Sequence, residues 1–455
     1  MFRRGIELIG KIWLKALAML GICMHAPTIA PANSIVLDKV WSGSPTGFAG
    51  IWRDGLFFVA YYNAQRKIAV QKLDGRGNPL EEVVLEETFA GWDAHNALEI
   101  ELDGHNRLHL AGNMHASSLV YFRGALPYSV KSLSRIDRMV GKDEARVTYP
   151  RFLRLDDYLY FFYRSGGSGN GKWLLNRWDG TSWSRDRPGV LFADRDAVGP
   201  VSAYPSRFVP DGQGGMGVAY VWRRGPDASL NVRMCFARTR DFKTWTTIDG
   251  SLLSVPLGTD CPMPVEDTGP GRGLNNNQSL FFGANAVPII IYHKLDAHHH
   301  NQVYMATIRS GAWHQVALTD WTEHFDFAGA GSLPLPFSIG VLQDDARDRI
   351  VVTARHERFP PTEFYIDRTT LAVIRAPLLG RVHPASMISA VENRQTNSLR
   401  ITDERGRERG LLIWATLKAN RDRPPTCAGP SQQNCLPPPS ELYFHIMAAP
   451  KSPSR

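Results

Sequence analysis

Hydrophobic residues in this chain occur in short runs that are rich in aromatic and β-branched side chains and are separated by polar turns. Residues 56–62, 218–222 and 350–354 are examples, with Gly, Asp, Asn or Pro close to their ends. Runs of this length and composition are typical of β-strands. After residue 32 the pattern indicates no amphipathic helix beyond a turn near 132–140. It therefore predicts an all-β protein.

Three segments repeat the same local order of a strand, a tight polar turn and a tryptophan. They are residues 179–183, 240–245 and 309–313. Each resembles a degenerate Asp-box turn, in which a polar side chain closes a hairpin and the tryptophan packs between neighbouring sheets. Such repetition predicts one β-propeller domain over residues 33–455, built from four-stranded antiparallel blades. Seven blades of about 60 residues each are preferred, six or eight stay open, and a last strand at 442–446 is expected to pair with the first blade.

The N-terminal segment has the layout of a secretory signal peptide. Four basic residues occur in the first 15, an apolar run follows at 16–24, and Ala-Pro-Ala occupies 30–32. A membrane anchor is the alternative, but it needs about 20 apolar residues, and Lys15 interrupts this run. We expect cleavage after Ala32, export to the periplasm or the exterior, and no membrane span in the mature chain.

Charge narrows the choice of partner only slightly. The first 32 residues contain four basic residues and one acidic residue, so their removal lowers the formal charge from +8 to about +5. A modestly basic exported protein suits an acidic polysaccharide, although the same charge is compatible with a role in solubility alone. There is no Lys/Arg run interleaved with aromatic residues, which argues against a nucleic-acid partner.

The cysteines predict two disulfide bonds. One of the five, Cys23, lies in the signal segment, and four remain for an oxidising compartment. Cys427 and Cys435 flank a short polar loop, and their pairing leaves Cys235 for Cys261. The absence of a Cys-x-x-Cys motif argues against a zinc ribbon or a redox site.

Polar residues concentrate at strand ends within residues 91–171. Cleavage of a uronate-containing glycan by β-elimination requires a cation for the carboxylate, a base for the C5 proton and an acid for the leaving oxygen. Arg164 is the candidate cation, because a guanidinium binds a carboxylate through two parallel hydrogen bonds. His95 and His115 are candidate bases, and Tyr149 is a candidate acid or base.

Each of these residues also has a structural interpretation. A buried arginine or histidine can have a purely structural role, with its hydrogen bonds made within a propeller blade. Tyr149 can form an aromatic wall of a sugar pocket. The proline that follows Tyr149 predicts an extended backbone there. A nearby arginine is expected to favour the phenolate form of the tyrosine.

Three stretches resemble a known family. Residues 109–115, 147–152 and 163–171 are similar to the BNR-repeat propeller family that includes ulvan lyases and rhamnose-glucuronate lyases. The resemblance implies a seven-bladed β-propeller and a polysaccharide lyase that acts on a uronate glycan. It also implies that catalysis involves two histidines, a tyrosine and an arginine, which correspond here to His95, His115, Tyr149 and Arg164.

Weaker likeness extends through residues 201–205 and 275–294. The candidates for substrate binding are Asn96, Asn113, Arg151, Tyr204 and His293. The chemistry needs no cofactor, and we expect a monomer.

The resemblance also implies a structural metal ion, calcium or zinc, for which the sequence indicates no ligand set. Residues 298–300 are three consecutive histidines that could bind a metal. They fit an exposed polar turn better, because adjacent side chains of a strand cannot all face one ion.

Two other functions remain open at this level. A sialidase-like glycoside hydrolase would use an arginine triad, for which Arg151, Arg164 and Arg223 are available, but the Phe/Tyr-Arg-Ile-Pro motif expected near the first strand is absent. A non-catalytic propeller could use the same residues merely to hold an acidic sugar.

Overall fold

Antiparallel strands make up nearly all the regular structure, which confirms the all-β prediction. The structure is a computed structural model that describes residues 34–155, 158–378, 394–404, 406–425 and 436–447, without the side chains of 186–188 and 346. The signal segment 1–32 and the Cys427–Cys435 pair lie outside the described residues.

Strands are numbered in chain order. The first group is β1 (Ser34–Val40), β2 (Ala49–Arg53), β3 (Leu56–Tyr62), β4 (Lys67–Leu73), β5 (Pro79–Thr88), β6 (Glu99–Leu102), β7 (Leu108–Ala111), β8 (His115–Ser117), β9 (Tyr121–Gly124) and β10 (Leu133–Arg135). Next come β11 (Val147–Leu155), β12 (Tyr158–Gly167), β13 (Asn170–Trp178), β14 (Trp183–Phe192), β15 (Ser202–Pro205), β16 (Val209–Pro210), β17 (Met216–Arg223), β18 (Asn231–Thr239), β19 (Trp245–Thr246), β20 (Leu252–Leu253) and β21 (Glu266–Asp267). The last are β22 (Ser279–Phe282), β23 (Pro288–Leu295), β24 (Asn301–Arg309), β25 (Ala312–Ala317), β26 (Phe337–Asp344), β27 (Arg349–His356), β28 (Thr362–Asp367), β29 (Val373–Pro377), β30 (Arg394–Thr402), β31 (Glu408–Leu417) and β32 (Ser440–Ile446).

Helical structure in the described residues is limited to four 3-10 turns, at Val130–Ser132, Ala228–Leu230, Ala284–Ala286 and Asp345–Arg347. The first of them begins just before the turn expected near 132–140. None of the helices in these residues has the length and apolar character needed to cross a bilayer.

The described strands pair into six sheets, five of four strands and one of twelve. Three antiparallel meanders are each formed by four consecutive strands, namely β2–β5, β22–β25 and β26–β29. Strands β6, β7, β9 and β10 form a fourth four-stranded sheet. The large sheet contains one antiparallel series, β11–β14, and a second centred on β17 and β18. A single parallel pair, Gly171 with Ser202, joins the two series.

The remaining four-stranded sheet combines strands from both ends of the described part of the chain. Strand β1 pairs with β32, which is followed by β31 and β30. Val36 lies opposite Tyr443, and Val40 lies opposite Ser440. The prediction that a last strand pairs with the beginning of the domain is therefore confirmed.

One of the predicted turn-and-tryptophan units, at residues 179–183, joins two neighbouring sheets. Asp179 Oδ1 accepts hydrogen bonds from the backbone N–H groups of Thr181 and Ser182, both at 2.9 Å, and so closes its hairpin. The Trp183 indole that follows donates to the hydroxyl of Tyr121, in the adjacent sheet, at 3.1 Å. A buried tryptophan at this point contributes a large apolar surface together with one satisfied polar group.

The predicted pairing of Cys235 with Cys261 is also confirmed. Cys235 lies on β18, Cys261 lies in the loop before β21, and their Cα atoms are 6.2 Å apart. Both residues are buried in the aromatic core that surrounds β17. The bond therefore fastens a long loop to the strands next to Arg223.

Candidate active site

Strand register brings the predicted catalytic residues together. Strand β11 lies between β8 and β12, and its Thr148 is opposite His115 on one side and Arg164 on the other. Tyr149 directly follows Thr148. His95, in the loop between β5 and β6, stacks on His115 with ring centroids 4.1 Å apart. The four residues are neighbours in space although they span 70 positions of sequence.

A single carboxylate joins the two histidines. Asp93 Oδ1 lies 2.6 Å from His95 Nδ1, and Asp93 Oδ2 contacts His115 Nδ1. An ionised carboxylate can only accept hydrogen bonds, so we infer a proton on both Nδ1 atoms; in the neutral form of each ring the lone pair is then on Nε2. The side chains of the three residues are 21% to 27% exposed, which leaves them within reach of a substrate.

The charge state of Asp93 supports this arrangement. Burial raises the pKa of its carboxyl, but the hydrogen bonds from His115 and His95 outweigh burial and hold the pKa well below its usual range. Asp93 is therefore ionised at neutral pH. Its sequence position, two residues before His95, was the one available signal, since its Oδ1 also accepts from the His95 backbone N–H at 2.9 Å.

A second carboxylate reaches this site from the far end of the chain. Asp422 Oδ2 lies 3.7 Å from His95 Nδ1 and accepts a hydrogen bond from the Ser332 backbone N–H at 3.2 Å. The backbone of Asp422 is left-handed, with φ of 61°. No local pattern marks this residue, and sequence reasoning missed it.

Tyr149 lies between the histidines and the arginine. Its ring centroid is 5.7 Å from that of His95 and 4.9 Å from Cζ of Arg164. The extended backbone expected from Pro150 is not adopted. Tyr149 has φ of 55°, because the pairing of β11 with β12 is interrupted by a bulge between Thr148 and Arg151.

The Tyr149 hydroxyl is protonated at neutral pH. Burial raises the pKa of Tyr149 to about 12, although the Arg164 guanidinium lowers it. Arg164 favours the phenolate, as expected, but the cost of burying a charge exceeds this effect, so the pKa rises overall. A neutral phenol is suited to giving up a proton during a reaction.

Arg164 is fully buried on β12. Nη1 donates to the hydroxyl of Tyr204 at 3.2 Å, and Nη2 donates to Oγ1 of Thr148 at 3.2 Å. Its Nε has no hydrogen-bond partner among the described residues. The predicted substrate-binding residue Tyr204 is thus part of this cluster.

A second buried guanidinium, Arg223 at the end of β17, completes the cluster. Its Nε donates to Asn231 at 2.7 Å, and Nη2 donates to Asn276 at 2.6 Å. Nη1 shares the Tyr204 hydroxyl with Arg164, at 3.3 Å. Sequence reasoning identified Arg223 only as one of three arginines available to a hydrolase.

Neither Arg164 nor Arg223 has a carboxylate within 4.0 Å in the described part of the chain, although they are 0% and 7% exposed. Buried charges are normally paired, because the desolvation of an ion costs several kcal/mol. Two buried cations without a carboxylate partner in the described ranges that share one tyrosine hydroxyl have the charge to attract an external anion.

Glycines allow this close packing. A Cβ atom at Gly171 would lie 3.0 Å from the side chain of Arg164, and one at Gly169 would overlap the backbone of Gly225 at about 2.1 Å. Gly169 also has φ of 66°. The glycine run after Arg164 thus lets the chain pack closely around the two guanidiniums.

The polar groups of three predicted substrate-binding residues form hydrogen bonds with the protein backbone. The Asn96 amide donates to the carbonyl of Ala90, and the Asn113 amide oxygen accepts from the N–H of Ala90, both at 2.9 Å. Arg151 donates to the carbonyl oxygens of Pro205 and Ser206. Asn96 and Asn113 hold the loop that precedes His95, and Arg151 braces β11 against the strand that carries Tyr204.

His293 lies away from this cluster, on β23. It is 2% exposed, its ring packs between those of Phe327 and Phe337, and it lines a separate cavity of about 600 Å³. Burial lowers the pKa of His293 to about 3, so the ring is neutral under ordinary conditions.

The metal expected from the resemblance can be tested against the donor atoms present. Asp93, His95, His115 and Asp422 bring four donor atoms within 4.8 Å of one another. Calcium prefers six to eight oxygens and does not suit a set with two nitrogens. Tetrahedral zinc keeps its ligands about 3.3 Å apart, whereas His95 Nδ1 and Asp93 Oδ1 are 2.6 Å apart and hydrogen-bonded. As arranged, both histidines of this cluster are hydrogen-bonded to Asp93, and the structural metal stays a prediction.

The three consecutive histidines form a polar turn. Asp296 Oδ1 accepts hydrogen bonds from the backbone of His298 and His300, and His299 contacts Arg272. His298 and His299 are exposed. This matches the interpretation as a surface turn.

Comparison of the fold with solved structures finds two close in shape. A polysaccharide lyase of family 25, an ulvan lyase bound to -[GlcA(1-4)Rha3S]-, superposes with a TM-score of 0.59 at 11% identity, over 89% of this chain and 100% of that chain. A second structure of an ulvan lyase of this family gives a TM-score of 0.58 at 12% identity, with the same coverage. At such identities the likeness concerns the fold.

Comparison of the sequence gives the family directly. No curated protein sequence matches significantly. Residues 56–321, more than half of the chain, match the description "BNR repeat-containing family member". That range includes His95, His115, Tyr149, Arg164 and Arg223. The chain therefore belongs to the BNR repeat-containing family.

Proposed function

We propose that this protein is a polysaccharide lyase that cleaves a uronate-containing glycan by β-elimination. The observation that supports this most directly is the pair of buried guanidiniums, Arg164 and Arg223, without a carboxylate partner among the described residues. They lie beside a neutral phenol and two histidines whose Nδ1 atoms are held by one carboxylate. An anion-binding pair, an acid and a base are the groups that the elimination of a uronate requires.

We further propose that the domain is a seven-bladed propeller. The five four-stranded sheets, together with the two antiparallel series of the large sheet, amount to seven comparable units in the described residues. The pairing of β1 with β32 would then close the ring within one blade.

In the proposed reaction the substrate carboxylate binds between Arg164 and Arg223, which stabilise the charge that develops when the C5 proton leaves. A histidine Nε2 takes that proton, and the C5–H electrons form a C4–C5 double bond. The C4–O bond breaks, and the leaving oxygen takes the proton of the Tyr149 hydroxyl. Exchange with water then restores the histidine and the tyrosine.

We assign the base to His95, because its ring contacts that of Tyr149. His115 stacks on His95 and shares its carboxylate. In this assignment His115 and Asp93 keep the His95 ring in place with Nε2 unprotonated. Comparison of His95→Ala with His115→Ala tests the assignment, since loss of the base should cost roughly 10² to 10⁴ in rate.

The substrate class is proposed from chemistry and from likeness. The lyase with the similar fold was solved with a glucuronate-rhamnose 3-sulfate oligosaccharide, and this chain carries an excess of basic residues. We therefore propose a rhamnose- and glucuronate-containing glycan. An extracellular polymer of this kind would suit the export that residues 1–32 predict.

The test is to incubate the purified protein with a panel of uronate glycans and to follow near-ultraviolet absorbance, where the unsaturated product absorbs. A rise that is lost in Arg164→Ala but kept in Arg76→Ala supports the elimination. Arg76 is a matched control because it is an exposed turn arginine between β4 and β5. Release of reducing sugar without the rise would indicate a hydrolase, and binding without either would indicate a glycan-binding propeller.

A further inference from the structure

The cavity of about 600 Å³ that contains His293 is formed largely by the last third of the chain. Its walls include Ser338 on β26, Arg355 on β27, Gln395 on β30 and Lys418 after β31. These residues follow residue 321, where the match to the family ends. Most of the cavity lining therefore lies outside the residues of the family match, although His293 and its neighbours lie within it. The cavity volume lies within the range of about 300–1,000 Å³ that is typical of ligand pockets.

The cavity adjoins the candidate active site on two sides. Pro45, Lys418 and Ala419 belong both to it and to a neighbouring cavity of about 310 Å³, which extends to Asp422 beside His95. On the other side, Asn277 lines the large cavity. The residue before it, Asn276, holds Nη2 of Arg223. The cavity therefore lies next to residues of the candidate active site on both sides.

The cavity offers a cation to its occupant. Arg355 is exposed and has no ion-pair partner among the described residues. Lys418 is 2.8 Å from Glu357, and both side chains are more than half exposed, so this pair is weak and solvent-screened. With one carboxylate against two cations, the lining has a net positive charge. Pro336 and Phe337 add apolar surface to the lining.

We propose that this cavity is a second binding site for an anionic sugar unit of the same polysaccharide, with Arg355 as the residue that contacts its charged group. The inference rests on the proposed function. Occupation of the cavity would anchor a long chain some units away from the bond that is cut. It would favour polymers over short oligosaccharides.

The test compares KM for a long glycan and for the shortest oligosaccharide that the parent protein cleaves. Arg355→Ala should raise KM for the long glycan about fivefold, through loss of one exposed charged contact, and leave KM for the short one unchanged. Arg76→Ala, which removes the same charge from an exposed turn, should change neither. An equal KM for Arg355→Ala and the parent on the long glycan would overturn the proposal, as would an equal rise on both substrates.

A second variant tests the cavity by filling it. Ser338 lies opposite Arg355 in the β26–β27 pair, so Ser338→Trp places an indole across the opening. This variant should again raise KM for the long glycan only. The use of carboxyl-reduced and of desulfated glycan distinguishes a carboxylate from a sulfate as the anion, since only removal of the recognised group should abolish the difference between Arg355→Ala and the parent.

Failure of the proposed function would be recognised separately, by the absence of turnover in the parent on every glycan. In that case calorimetric binding of long fragments to the parent and to Arg355→Ala still decides the matter. Weaker binding in the variant supports the cavity site, and equal binding excludes it.

Discussion

Replacement of Asp93 by asparagine tests the central feature of the site. The carboxylate accepts a hydrogen bond from Nδ1 of both His95 and His115. An asparagine side chain of nearly the same shape offers one acceptor oxygen and one NH₂ donor. It can satisfy only one of the two Nδ1–H groups, and it forces the other histidine to protonate Nε2 instead.

The size of the effect follows from these contacts. A hydrogen bond to a charged group contributes about 1.5–3 kcal/mol, and the partial exposure of all three side chains favours the lower end. At about 1.4 kcal/mol per factor of ten, one such bond corresponds to roughly 10- to 30-fold in kcat. The wrong tautomer removes part of the general-base contribution as well, so we expect kcat to fall about 10²-fold. KM should remain near that of the parent, because Arg164 and Arg223 hold the carboxylate of the substrate.

The assay is the rate of near-ultraviolet absorbance increase at several substrate concentrations, which gives kcat and KM separately. Asp74→Asn is the matched control, since Asp74 also accepts backbone hydrogen bonds in a turn but lies in the exposed β4–β5 loop. Thermal unfolding should show that both variants are folded. A folded Asp93→Asn protein with the kcat of the parent would refute the idea that this carboxylate sets the histidine tautomers.

Three further predictions follow from the structure. Arg164→Lys should lower kcat/KM about 10²-fold in the absorbance assay, because one ammonium cannot hold both oxygens of a carboxylate. Replacement of Cys235 and Cys261 by alanine should lower the free energy of unfolding, measured by urea denaturation, by about 3 kcal/mol, since the bond closes a loop of 26 residues. The free energy of unfolding should also decrease as the pH is lowered below about 6.5. At such pH values His293 is protonated in the unfolded chain, whereas in the folded protein it is protonated only near pH 3. Denaturation at pH 7 and pH 4.5 should therefore show a loss of roughly 2–3 kcal/mol that His293→Leu reduces.

Each of these has an outcome that contradicts it. Parental kcat/KM in Arg164→Lys would mean that charge alone is required. Unchanged stability without the disulfide would mean that the loop is already ordered by its other contacts. An identical pH dependence in His293→Leu and the parent would assign the acid sensitivity to other groups, such as His109, whose pKa burial also lowers.

The strands and the core of the site could be predicted because their signals are local. A run such as 56–62 predicts a strand from its own composition, and the segments that contain His95, His115, Tyr149 and Arg164 follow a motif. The parts that could not be predicted depend on contacts across the chain. Asp422 reaches His95 from more than 300 positions away, and Arg223 joins Arg164 only through the pairing of β15 with β17.

The amides next to the histidines show the limit of arguing from adjacency. Asn96 and Asn113 are candidates for substrate binding because they lie close to His95 and His115 in sequence. His95 lies in a turn and Asn113 has a left-handed backbone with φ of 59°, so sequence adjacency does not set the direction of these side chains. Here both amides bond to the backbone of Ala90. Their role in substrate binding stays a prediction.

The sheet that combines β1 with β30–β32 has a consequence for how the chain is made. Ser34 and His445, which are hydrogen-bonded to each other, are 411 positions apart. A polypeptide that emerges with its N-terminus first must keep β1 without its partner until β32 has been made. A chain that stops short of Ser440 would retain two unpaired strand edges, on β1 and on β31, of the kind that recruit other chains into aggregates. Residues 440–446 thus determine whether the first described strand is paired.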